Sequence, residues 1–224
     1  KPGIRGNTIR YNSAPTGSGI VMVNSFGTVQ RNTISYNVGL HNLPEYWSEG
    51  GGLACQGGSA PMILNNYIAN NQAGIGAGLY TQDSEPAILG NLIVNNSADI
   101  TSGAMYSVNS SEVFANNTVA NNDADVAGAI EFFNSEPVFM NNIIWNNPDP
   151  WDKQIKLLGY FVELHVQNSI IENGAATFDG ESTPAFTNLI EDDPLFEKMS
   201  DGIGASFAGL EGDWWVADTS PCVN

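Results

Sequence analysis

The stretch Asn91-Leu92-Ile93-Val94-Asn95-Asn96 returns as Asn117-Thr118-Val119-Ala120-Asn121-Asn122, and again as Asn142-Ile143-Ile144-Trp145-Asn146-Asn147. Earlier copies begin at Asn7, Asn32 and Asn66, and a later one at Asn168. Taking that first Asn as origin, the copies start at 7, 32, 66, 91, 117, 142 and 168, so the steps are 25, 34, 25, 26, 25 and 26 residues. The one long step holds an insertion near 41–50. A fixed period of this length marks a repeat architecture.

Three apolar columns keep the period. Two residues after the origin stand Ile9, Ile34, Ile68, Ile93, Val119, Ile144 and Ile170. Three before it stand Ile4, Val29, Ile63, Ile88, Phe114 and Phe139, with His165 breaking the seventh copy. Twelve before it stand Ile20, Ala54, Leu79, Met105 and Ile130, with Lys156 as the exception. Each column sits in a short alternating stretch, which is a strand signal. Turn chemistry fills the gaps. Asn24, Gly58, Asp83, Asn109 and Asn134, types that tolerate left-handed backbone, each precede a serine. A second Asn column lies five past the origin, from Asn12 to Asn173. Asn is a poor strand and helix interior residue, yet 27 occur here, so a helical bundle is excluded.

Three short strands and three turns per repeat describe one coil of a parallel β-helix, with coils stacked at ~4.8 Å. The expected fold is all-β: a right-handed parallel β-helix solenoid of about seven coils over 1–175, then an irregular acidic C-terminal cap over 176–224. Inward Asn side chains would bond to the Asn of the next coil and satisfy backbone groups at the turns. Trp214 or Trp215 is expected to pack on the last coil.

The N-x-I-x-x-N repeat resembles the parallel β-helix proteins of the pectin-lyase-like superfamily, over about residues 1–175. The tail Asp193-Pro194-Leu195-Phe196 … Ser220-Pro221-Cys222 is similar to the ending that follows β-helix repeats in large secreted bacterial proteins. The resemblance implies a secreted or bacterial cell-surface protein. It leaves the reaction open, because the superfamily spans lyases, hydrolases, adhesins and proteins without known activity.

Charge narrows the classes. Seven Lys+Arg against 24 Asp+Glu leave a net charge of −17, which disfavours nucleic acid and anionic membranes as partners. No apolar run has the length of a membrane helix. Residues 32–152 contain no Lys or Arg. The lyases of the superfamily typically use a basic residue and a neutralising cation, so elimination on the central coils is disfavoured, leaving Arg10 and Arg31 as candidates. Cys55 and Cys222 fit one disulfide or two free thiols equally well. The chain starts Lys1-Pro2-Gly3, which reads as a mature or excised segment, with further coils or a partner chain expected at the N-terminal end.

Candidate binding residues fall in two places. The column eleven before the origin reads Val21, Cys55, Tyr80, Tyr106 and Glu131 and should face outward. Tyr80 and Tyr106 would stack beside Glu131, offering a flat ring face and an acceptor to a polysaccharide. The insertion carries Tyr46 and Trp47 as a second aromatic platform. Asp99, Asp123 and Asp125 on neighbouring coils are candidate oxygen ligands for Ca²⁺. The leading expectation is a polysaccharide-binding module without a catalytic set. The alternatives are a polysaccharide lyase or glycoside hydrolase, and a structural spacer or adhesin segment.

Overall fold

The computed structural model describes residues 3–40, 47–159 and 163–222. The chain winds into a parallel solenoid with three walls. The first is a seven-stranded sheet of Ile20–Val23, Leu53–Gln56, Leu79–Gln82, Met105–Val108, Ile130–Phe133, Ile155–Leu158 and Phe178–Gly180. The second is a 14-stranded sheet that takes two strands from most coils, such as Ala87–Leu89 and Leu92–Val94. The third is a five-stranded sheet ending at Asp123–Val126.

The Asn doublets explain how a coil turns twice in few residues. The first member takes left-handed backbone: φ is 57° at Asn116, 54° at Asn121, 55° at Asn141 and 54° at Asn146. The second member points inward and joins a ladder. Asn66 donates its backbone N–H and its Nδ2 to Oδ1 of Asn91, at 2.9 and 3.0 Å. Asn91 does the same to Asn117 at 2.9 and 3.1 Å, while its Nδ2 also reaches the Ile63 carbonyl at 2.9 Å. The second ladder runs from Asn12 through Asn37, Asn71, Asn96, Asn122 and Asn147 and is closed by Gln154 Oε1. The ladder amides are thereby paired inside the rod, where an unpaired polar group costs about 1–3 kcal/mol.

The interior is stacked. Ile68 pairs with Ile34 and Ile93, and Ile93 with Val119, all fully buried. Phe114 and Phe139 stack with ring centroids 5.4 Å apart. Each such side chain contributes roughly 1.5–3 kcal/mol of burial.

Two coils shift the expected register by one. Leu53, not Ala54, stacks between Ile20 and Leu79. Ala54 therefore lies in the outward column with Val21 and Tyr80, and Cys55 points inward between Met22 and Thr81. The reason is an extra residue: Gly57 and Gly58 both have positive φ, 64° and 76°, where other coils use a single left-handed residue. At the last repeat Ser169, not Asn168, takes the ladder position and accepts the Asn142 N–H at 3.2 Å. Val166 then stacks on Phe139 and Ile171 on Ile144, so His165 and Ile170 face outward. Ile155 fills the inward column, and Lys156 stands outside against Glu131. Asn173 caps a short 3-10 turn instead of extending its ladder.

The tail behaves differently from the expectation. Winding continues past 175: Phe178–Gly180 pairs with Ile155–Leu158, and Ala185–Ile190 pairs with His165–Ile171. The remainder folds back along the second wall. Phe196–Lys198 and Asp213–Val216 form a two-stranded antiparallel sheet. Trp214, 8% exposed, packs on Ala69, Val94 and Ala120, three coils side by side, not on the last coil. The first Asn of the doublets holds this segment: Asn70 donates to Ala205 and Phe207 carbonyls, Asn95 to Gly202 at 2.8 Å, and Asn121 to Ser200 at 2.7 Å. The Ala205, Phe207 and Gly202 carbonyls lie outside any sheet, and the amides give them a donor, while Ser200 accepts through its hydroxyl.

Candidate binding groove

Tyr80 and Tyr106 stack on adjacent coils, with ring centroids 5.9 Å apart and planes 6° from parallel. Glu131 follows in the same column. The three do come together, but as a sealed seam. Tyr80 is 5% exposed and Glu131 6%, while Tyr106 is half-buried. Glu49 closes one end: it hydrogen-bonds Tyr80 and accepts from Gln56 Nε2 at 3.3 Å. Thr101 Oγ1 closes the other, donating to Glu131 Oε2 at 2.7 Å. Burial, before any neighbouring charge, pushes the carboxyls of Glu49 and Glu131 up, and the phenols of Tyr106 to about 12 and Tyr80 higher still. A sugar ring needs an open aromatic face, and Tyr80 does not offer one.

Tyr46 lies outside the described residues. Trp47 is 49% exposed and stands against Gly74 of the next coil, where a Cβ would meet it at 3.0 Å. Asp99, Asp123 and Asp125 lie on the outer surface of the third wall. Asp123 pairs with Ser97 across the sheet, so it does not stack on Asp99. Burial and then the Asp125 charge raise the Asp123 carboxyl. Among the described residues no three His, Cys, Asp or Glu side chains converge as a metal site, so the Ca²⁺ expectation lacks a ligand set. Cys55 is buried and Cys222 exposed, and both are free thiols.

The hollow that the structure does build lies between the second wall and the folded-back tail. One part, of about 510 Å³, is lined by Tyr67, Leu92, Thr118, Ile143, Trp214 and Trp215 among others. The next, of about 750 Å³, is lined by Asn141, Asn168, Asn188, Ile170, Ile190 and Cys222. Asn116 and Ile143 line both, so the two parts form one groove along the rod. Its floor is the outward apolar column of the wall. One rim is a column of exposed amides, Asn116, Asn141, Asn168 and Asn188. The other rim is the tail, where Trp215 is 80% exposed.

The residues of this groove were present in the sequence but unassigned. Each doublet offers two amides, and left-handed backbone turns the first one outward. On a strand, neighbouring side chains face opposite ways, so of Trp214 and Trp215 one must be out. What the repeat could not convey is that the tail returns to face that wall.

Parallel coils, stacked apolar columns and Asn ladders define a β-solenoid. A family model described as "Right handed beta helix region" matches residues 2–188, and the chain belongs to that family. The match runs past residue 175, as the winding does. Neither the curated proteins nor the solved structures contain a match to this chain.

Proposed function

We propose that this chain is a polysaccharide-binding β-helix module of a secreted or cell-surface protein, and that the groove beside Trp215 is its binding site. One observation carries the reading: a groove along the second wall joins an exposed Trp near one end to a row of four exposed amides, one per coil, beside an apolar floor. Aromatic rings take the apolar face of a pyranose, and amides pair with its hydroxyls. The Tyr80–Tyr106 seam stabilises the first wall in this reading.

Affinity electrophoresis in gels cast with neutral and uronate polysaccharides tests it. Retardation that Trp215→Ala removes and Tyr80→Ala leaves in place is the expected result. Free migration of the wild type in every gel overturns it. New reducing ends or unsaturated uronate products would instead favour the lyase or hydrolase reading. The spacer reading draws on the unbroken Asn ladders, which stiffen the rod whatever it binds.

A further inference from the structure

Resting on the glycan reading, we infer that the groove is selective for an uncharged glycan lying parallel to the rod axis, with successive sugars meeting successive coils. Three features of the groove lead there.

The first is charge. The residues lining both hollows include one carboxylate, Asp213, and no Lys or Arg. Lys156, the basic residue beside Glu131, belongs to the first wall and not to the groove. A uronate entering the groove would leave water without gaining a counter-charge and would face Asp213. Desolvating an unpaired carboxylate is costly, and like charge adds to that cost. A neutral sugar meets neither penalty.

The second is the direction of the amide column. Asn116, Asn141, Asn168 and Asn188 follow one another along the solenoid at strand spacing, ~4.8 Å per coil. An extended pyranose chain advances by close to one coil spacing per sugar. The floor column of Thr118, Ile143, Ile170 and Ile190 runs in the same direction, with Thr118, Ile143 and Ile190 partly exposed and Ile170 sealed between them.

The third is hydrogen-bonding capacity. Asn141 Nδ2 donates to Asn116 Oδ1 at 3.3 Å, and Asn188 Nδ2 donates to Asn168 Oδ1 at 2.7 Å. Among the described residues no protein group meets Asn116 Nδ2, Asn141 Oδ1, Asn168 Nδ2 or Asn188 Oδ1. Along the rim these run donor, acceptor, donor, acceptor. A hydroxyl both donates and accepts, so a row of sugar hydroxyls satisfies this alternation, whereas a carboxylate can only accept.

The test is a titration monitored by tryptophan fluorescence, with EDTA present, of neutral oligosaccharides (cello-, xylo- and manno-series) against oligogalacturonates of matched length. The expected outcome is binding of at least one neutral series, with affinity rising over the first sugars and levelling off near the length of the amide column. Oligogalacturonates should bind at least tenfold more weakly. Asn141→Gly keeps the left-handed backbone while removing the amide. It and Trp215→Ala should each weaken neutral binding about tenfold, the loss of one good contact, with melting temperature unchanged. Oligogalacturonates binding as tightly as the neutral series, and losing affinity in the same two variants, would overturn the neutral selectivity while leaving the glycan groove standing. Saturable binding untouched by both variants, or no binding to either class, would overturn the groove and this inference together.

Discussion

Ser107 Oγ donates to Glu112 Oε2 at 3.1 Å inside the rod, where Glu112 has no exposed surface and its other oxygen has no partner. Burial raises this carboxyl from an ordinary 4.5 to about 7, against the smaller opposing effect of the hydrogen bonds. The folded chain therefore holds the proton more tightly than the unfolded chain. As pH rises from 4.5 towards 7 the unfolded chain gives up its proton first, and stability falls through that window, then levels off. The loss attributable to Glu112 is about 3 kcal/mol. Glu49, Glu131 and Asp123 are shifted in the same direction and add to the slope. Denaturant unfolding at pH 4.5 and 8 should show a larger drop for the wild type than for Glu112→Gln. Equal drops would remove Glu112 as the cause.

The two members of an Asn doublet should respond oppositely to substitution. Asn66→Ala removes a fully enclosed ladder rung and strands the Asn32 N–H and Nδ2 that it accepts from. About 2–4 kcal/mol should be lost. Asn65→Gly keeps the left-handed turn, as Gly90 does at the equivalent site of the next coil with φ 66°. Its effect should stay within about 0.5 kcal/mol. Comparable losses in the two variants would contradict the ladder assignment.

Tyr80 should matter to stability and not to ligand retention. Its ring is packed on Tyr106 and its edge on Glu49. Tyr80→Ala should cost about 3 kcal/mol, in the range for buried aromatics, and Tyr80→Phe far less. A Tyr80→Ala protein that melts like the wild type but loses glycan retention would restore the first-wall platform.

Trp214 anchors the returning tail. Trp214→Ala removes the ring from Ala69, Val94 and Ala120 and from its contact with Phe196. The tail should then open locally at little cost to the coils. Limited proteolysis should cut the variant between residues 190 and 215 at a protease concentration that leaves the wild type whole. Equal protection would show that the amides of Asn70, Asn95 and Asn121 suffice.

The thiols give an independent check of the register. Cys55 is buried, and burial pushes its thiol up to about 12, while Cys222 is exposed. Thiol titration should count one group in the native protein and two after denaturation without reductant. A count of zero in both would mean a Cys55–Cys222 disulfide.

Much of the fold was legible residue by residue. Ile68, Ile93 and Val119 share an interior because strand alternation and turn-forming Asn act over a few residues and recur on schedule. Register across Gly57-Gly58 was not legible, because counting back from Asn66 passes over an extra residue whose position only the backbone reveals. Val21, Tyr80, Tyr106 and Glu131 do share one outward column, but Ala54 and not Cys55 stands in it, and the burial of Tyr80 depends on Glu49, which a separate segment delivers.

The sequence by itself determined the period, the stacked interior, the Asn ladders and the acidic, cation-poor character of the central coils. Those properties are local, and a repeat prints them once per turn. Only the tertiary structure decided that the tail lies along the second wall, that Tyr80 is closed in, and that Trp215 lies near one end of a groove edged by amides. The tail contacts join residues more than a hundred positions apart, as Asn95 joins Gly202, and Glu49 reaches Tyr80 from another coil, so no short-range pattern encodes either.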